Sequence, residues 1–157
     1  MAKEGPSEQE RAEKLTEFLQ EEVGKPMRYV FHDTDAHDSD ELRQLRYEHG
    51  WEALGRWWTL VELLGRREWH RYDVRRPCGW RMLAEDLSFQ SEDECREFVG
   101  WLLDLGLLHR ESFEESGYVR SERIERNAYQ MAENAAQGWL GTWVRYYGKH
   151  PPTSGAT

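Results

Sequence analysis

The sequence predicts a mainly α-helical fold, with a helix-turn-helix followed by a small β-hairpin and a flanking helix at each end. Three observations predict it. Apolar residues recur at helical spacing in successive segments, most densely at Leu54, Trp57, Trp58, Val61 and Leu64. Two segments open on a Ser-x-x-Glu capping box, at Ser7 to Glu10 and at Ser91 to Glu94. Two stretches of strand-like character, 107–112 and 118–121, follow the second box, with the glycine-bearing loop Phe113–Gly117 between them.

Residues 7–23 read as an amphipathic helix whose stripe is Leu15, Phe18, Leu19 and Val23, stopped by Gly24-Lys25-Pro26. The stripe must be covered by its own domain or by another chain. Residues 27–37 are extended and then loop. Asp38 or Ser39 caps a short helix carrying Leu42, Leu45 and His49, and Gly50 supplies its left-handed stop. The helix at 51–66 carries the densest stripe and is the expected centre of the core. A short strand at 69–74 follows, and then Pro77 opens a helix with Trp80, Leu83, Ala84 and Leu87 inward.

The helix after Ser91 turns Cys95, Phe98, Val99, Leu102 and Leu103 inward and ends at Gly106. Its short link to the preceding helix, Ser88–Gln90, makes the pair a helix-turn-helix. The hairpin at 107–121 then adds a wing. After Ser121 a helical stripe returns at Ile124, Ala128, Met131 and Ala135. Gly138 and Gly141 weaken it, and Trp139, Trp143 and Tyr147 extend or restart it. The tail from Pro151 is expected to be disordered. The organisation is an N-terminal helix (1–25), a winged-helix domain (26–135), and an aromatic-rich C-terminal segment and tail (136–157).

Composition bounds the function. A chain of 157 residues supports one domain with a real core, and eight tryptophans supply much area per residue. No apolar run approaches the ~18 residues of a membrane span, and the charged start MAKEGPSEQER is unlike a signal peptide. Cys78 and Cys95 fit a reduced, cytoplasmic protein with small buried thiols, and their spacing makes no zinc site. The net charge of −9 opposes loose attraction to polyanions, so any such binding needs a local basic patch.

A family resemblance rests on Phe31-His32-Asp33, Asp38, Gly50-Trp51-Glu52-Ala53-Leu54-Gly55, Trp58, Leu60 and Glu62-Leu63. Looser matches fall at Leu83-Ala84, Phe98, Leu105-Gly106-Leu107 and Tyr118–Arg126. In these residues, spanning roughly 29–131, the chain resembles the N-terminal winged-helix domain of DnaD-like replication-initiation proteins of phages and their bacterial hosts. The resemblance implies a part in DNA replication through DNA contact, self-association or both.

Candidate chemistry is sparse. His32, Asp33, Asp35, His37, Asp38 and Asp40 offer imidazole and carboxylate ligands of the kind that bind zinc, manganese or iron. Their irregular spacing fits turn formation and helix capping better, so neither a metal nor a cofactor is expected. A hydrolytic triad drawn from His109, Ser112 and Glu114 lacks a glycine-rich elbow, and an enzyme is not expected.

Charge is more informative. Ser88–Ser116 has a net charge of −6, which puts carboxylates on the helix that would otherwise enter a DNA groove. Asp93, Glu97, Trp101 and Asp104 on that face are candidates for protein contact. Arg66–Arg81 carries Arg66, Arg67, Arg71, Arg75, Arg76 and Arg81, a net charge of +4, among Trp69, Tyr72 and Trp80. These arginines suit nucleic acid or an acidic partner surface, or else pair with the chain's own carboxylates. The expected function is a non-enzymatic module working through protein partners or self-association, with DNA binding through 66–81 as the alternative.

Overall fold

The computed structural model describes residues 5–149, with only the backbone of His37 and Gly148. The expected disordered tail lies outside the described residues. The fold is mainly helical, with one small antiparallel sheet. Its elements are α1 (Glu8–Glu22), α2 (Asp40–Gly65), β1 (Arg71–Asp73), α3 (Gly79–Asp86), α4 (Glu92–Asp104), α5 (Arg110–Ser116), β2 (Tyr118–Arg120) and α6 (Glu122–Lys149). Short 3₁₀ turns at Ala36–Asp38 and Glu68–His70 precede α2 and β1. Among the described residues, no helix is long and apolar enough to cross a membrane.

The chain divides into two compact units, Pro26–Ala128 and a second made of residues 5–25 and 129–149. α6 runs from the first into the second, and passes Gly138 and Gly141 without a break. The C-terminal aromatic segment is therefore helix as far as Lys149. Its buried positions step by four, through Ile124, Ala128, Ala132 and Ala136, whereas Met131 and Ala135 are half-buried.

In the Pro26–Ala128 unit, Ser39 caps α2, its Oγ accepting from the Leu42 N–H at 3.4 Å. α2 is two helices in line, broken at Gly50 (φ 83°, ψ 179°), a conformation that glycine adopts at little cost. After the break, Ala53, Leu54, Trp57, Leu60, Val61, Leu63 and Leu64 are all buried. Trp57 is fully covered, a burial worth about 2–3 kcal/mol. Its Nε1 has no hydrogen-bond partner among the described residues, which offsets part of that gain. Trp58 is only half-buried.

α3 packs on α4 across the short link, and α2 packs on α4. Cys95, Phe98, Val99, Leu102 and Leu103 are buried, as the stripe predicts. The Ser91 box is divided. Ser91 Oγ accepts from the Glu94 N–H at 3.2 Å, but the Glu94 carboxylate accepts from Gln90 at 3.3 Å.

The expected hairpin at 107–121 is not formed. Residues 110–116 are the helix α5, and β2 pairs instead with β1, in the register Arg71↔Arg120, Tyr72↔Val119, Asp73↔Tyr118. The reason is local. Leu108, Ser112 and Phe113 share a helical stripe, and His109 Nδ1 caps the helix by accepting from the Ser112 N–H at 3.3 Å. Gly117 (φ 70°) then closes it, its N–H donating to the Phe113 carbonyl at 2.9 Å. The glycine that reads as a hairpin turn is a helix C-cap. One backbone bond of the expected pairing survives, from the His109 N–H to the Arg120 carbonyl at 2.9 Å.

In the second unit, Ser7 and Glu10 form both halves of the α1 capping box, at 3.2 and 2.7 Å. The backbone bond from Ser7 holds the Glu10 carboxyl below its ordinary range. Phe18 meets Trp139 edge to face at 5.7 Å, so the α1 stripe docks on the C-terminal half of α6. The Tyr147 hydroxyl donates to Glu10 at 3.2 Å.

Candidate nucleic-acid interface

The basic stretch becomes a groove because β1 and β2 pair. Arg66 and Arg67 follow the end of α2, and Arg71 opens β1. Arg76 lies on the turn into α3 and is half-buried. The register brings Tyr118 of β2 opposite Asp73. These residues, with Glu68, line a cavity of about 470 Å³. Residues 68–70 hold the bend in an unusual backbone, with Trp69 at φ 58° and His70 at φ 53°.

Tyrosine rings hold the guanidinium groups. Arg71 lies 4.3 Å from the Tyr118 ring centroid, and Arg67 and Arg76 lie 4.4 and 5.4 Å from that of Tyr72. A stacked guanidinium keeps its N–H edges directed outward, available to phosphate or carboxylate oxygens. Among the described residues, Arg66, Arg67, Arg71 and Arg76 form no ion pair. Arg76 also makes a long contact of 3.8 Å to Met82 Sδ, and its Nε is buried without a partner among the described residues. Burial pushes the Tyr72 phenol above its ordinary pKa, and its hydroxyl donates to Asp86 at 3.3 Å.

The other two arginines are differently placed. Arg75 donates to the Glu114 and Glu115 carbonyls, each at 2.6 Å, and so caps the C-terminus of α5. A Cβ at Gly117 would strike the Arg75 side chain, so this contact also needs the glycine. Arg81 pairs with Glu85 on the exposed face of α3, at 3.5 Å.

On α4, Asp93, Glu97 and Asp104 are exposed, and Asp104 pairs with Arg110 at 2.7 Å. Trp101 is not the free aromatic surface expected of it. His49 stacks on it at 3.6 Å, nearly parallel, and Phe98 meets its edge. Arg96 lies over Trp80 at 4.5 Å.

The acidic lead-in is divided, and the side chain of His37 lies outside the described residues. The His32 ring lies against Trp58 at 4.3 Å. Asp33, Asp35 and Asp38 share a shallow hollow with Arg123 and Arg126, while Asp40 begins α2. Among the described residues, no group of three His, Cys, Asp or Glu is arranged to hold a metal ion. His109 and Ser112 meet in the α5 cap, where the Ser112 hydroxyl accepts from Arg120 at 3.3 Å. Cys78 is exposed rather than buried, whereas Cys95 is buried and its thiol is pushed up to about 12 by burial.

A second cleft, of about 540 Å³, lies between α2 and residues 27–32, and the sequence reading passed over it. Tyr29, Phe31 and Trp58 line it, together with Arg66, which also lines the arginine groove.

No family model, curated protein or solved structure matches the chain.

Proposed function

We propose that the protein is a non-enzymatic, cytoplasmic winged-helix-type module of phage or bacterial DNA replication, and that it holds a nucleic-acid phosphate backbone in the arginine groove. The observation that carries the DNA contact is the convergence of Arg66, Arg67, Arg71 and Arg76 on one groove without an ion pair to any of the described residues. The order α2, β1, α3, α4, α5, β2, with the two strands paired and α3 and α4 joined by a short link, supports the winged-helix part. The replication role rests on the resemblance over 29–131.

α4 is not the reading element, because Asp93 and Glu97 would face phosphates across its exposed side. A second reading has support from that same face, where exposed carboxylates would dock a basic protein partner or a second copy of the chain.

Titration of a labelled oligonucleotide at several salt concentrations tests the first reading. The expected dissociation constant at physiological salt is on the order of 10⁻⁵ M or weaker, tightening steeply as salt falls. Arg66→Ala/Arg71→Ala should lower the salt slope by about one to two. Salt-resistant binding that ignores this substitution would overturn it. Concentration-dependent sedimentation abolished by Asp93→Asn/Glu97→Gln would favour the second reading.

A further inference from the structure

We infer that the nucleic acid this module takes is single-stranded, with its backbone in the arginine groove and its bases stacked in the adjoining aromatic cleft. The inference rests on the nucleic-acid reading above and specifies the strand that the site accepts.

Continuity comes first. Arg66 lines both the cleft and the groove, so the two form one surface within the Pro26–Ala128 unit. Chemistry then divides that surface. The groove carries four guanidiniums against Glu68 and Asp73, whereas the cleft offers the exposed rings of Tyr29 and Phe31, with Arg28, His32 and Trp58 beside Glu62. Phosphates favour the first half. Flat, uncharged rings favour the second, where Tyr29 and Phe31 are exposed.

Tyr29 is 66% exposed and Phe31 47%, on a segment tied to α2 by the Met27 N–H donating to the Gly65 carbonyl at 2.8 Å. A paired duplex buries its base faces and has nothing to offer such rings. A single strand exposes every base face beside its phosphates, and binding surfaces for single strands combine the same two features, a basic track and aromatic platforms. An acidic peptide would satisfy the groove but leave the cleft unused.

The experiment uses the full chain and four fluorescent probes of about 20 units each, a length that spans a single-strand site. They are an oligothymidylate, an abasic deoxyribose-phosphate strand, a duplex and a polyglutamate. The oligothymidylate should bind at least about tenfold more tightly than the abasic strand or the duplex. Tyr29→Ala/Phe31→Ala should erase that preference while leaving abasic-strand binding unchanged. Both residues are exposed, so thermal melting should show the fold intact. Arg66→Ala/Arg71→Ala should weaken all the nucleic-acid probes together.

Equal binding of oligothymidylate and duplex, still dependent on the arginines, would overturn the single-strand inference and leave the backbone reading standing. Binding of polyglutamate alone, or of no probe, would overturn both. A thymidylate preference that survives Tyr29→Ala/Phe31→Ala would also overturn the inference, because the bases would then be held elsewhere.

Discussion

The arginine groove and the outer face of α4 belong to one compact unit and carry opposite charge, yet composition alone misdescribes both. In the basic stretch, six arginines look equivalent. The structure divides them into four around a groove, one capping a helix end and one pairing along a helix. On α4, Trp101 looks like an exposed aromatic, but His49 covers it. A surface charge acts on a partner when no neighbour inside the chain already engages it, and sequence spacing does not report that.

The comparison can be broken at several points. The largest effect is expected from Arg66→Ala/Arg71→Ala, which should lower oligonucleotide affinity at low salt by about tenfold or more with little change in melting temperature. Fluorescence anisotropy and thermal denaturation check it, and a collapse in stability without loss of affinity would mean these side chains are structural. Arg75→Ala should do the reverse. It removes two short bonds to the α5 carbonyls and should destabilise the unit by about 1–2 kcal/mol, measured by urea unfolding, with unchanged binding. Asp93→Asn/Glu97→Gln should tighten low-salt binding by no more than a few-fold, since these charges act at a distance through screening solvent. A larger gain would place α4 at the interface.

The two cysteines give the smallest effect. Cys78 should react with a thiol reagent at pH 8, and Cys95 only on unfolding. The folded Cys95 thiol keeps its proton to about 12, against an ordinary value of 9.0, so unfolding releases a proton between those values. Stability from this group is therefore intact below pH 9 and declines as pH rises through that window. Alkaline urea titrations of the wild type and Cys95→Ala should diverge there.

Much of the helical frame was legible in the sequence, because it is written in short-range chemistry. The Ser7 and Ser91 caps, the Trp57 stripe and the stop at Gly106 each depend on neighbours within a turn. Gly117 shows where that reading fails. A glycine with positive φ serves a hairpin or a helix C-cap equally well, and only the burial of Leu108 and Ser112 separates the two. The groove was half legible. Its arginines stand together in sequence, but Tyr118 reaches them only through β-pairing. Tyr29 and Phe31 lie on an irregular segment, where no periodicity marks a shared surface.

The sheet that closes the groove is only three residues wide on each strand, and its partners are far apart in the chain. Contacts of that span carry a loop-closure cost, and so short a sheet can open locally while helices elsewhere persist. The groove can therefore vanish through a local opening that never unfolds α2 or α4. A ligand bound there would add its free energy to this opening and to any larger one that breaks the groove. Amide exchange at Tyr72 and Val119 should then slow on binding, so that ligand occupancy is read in the lifetime of a single pair of strands.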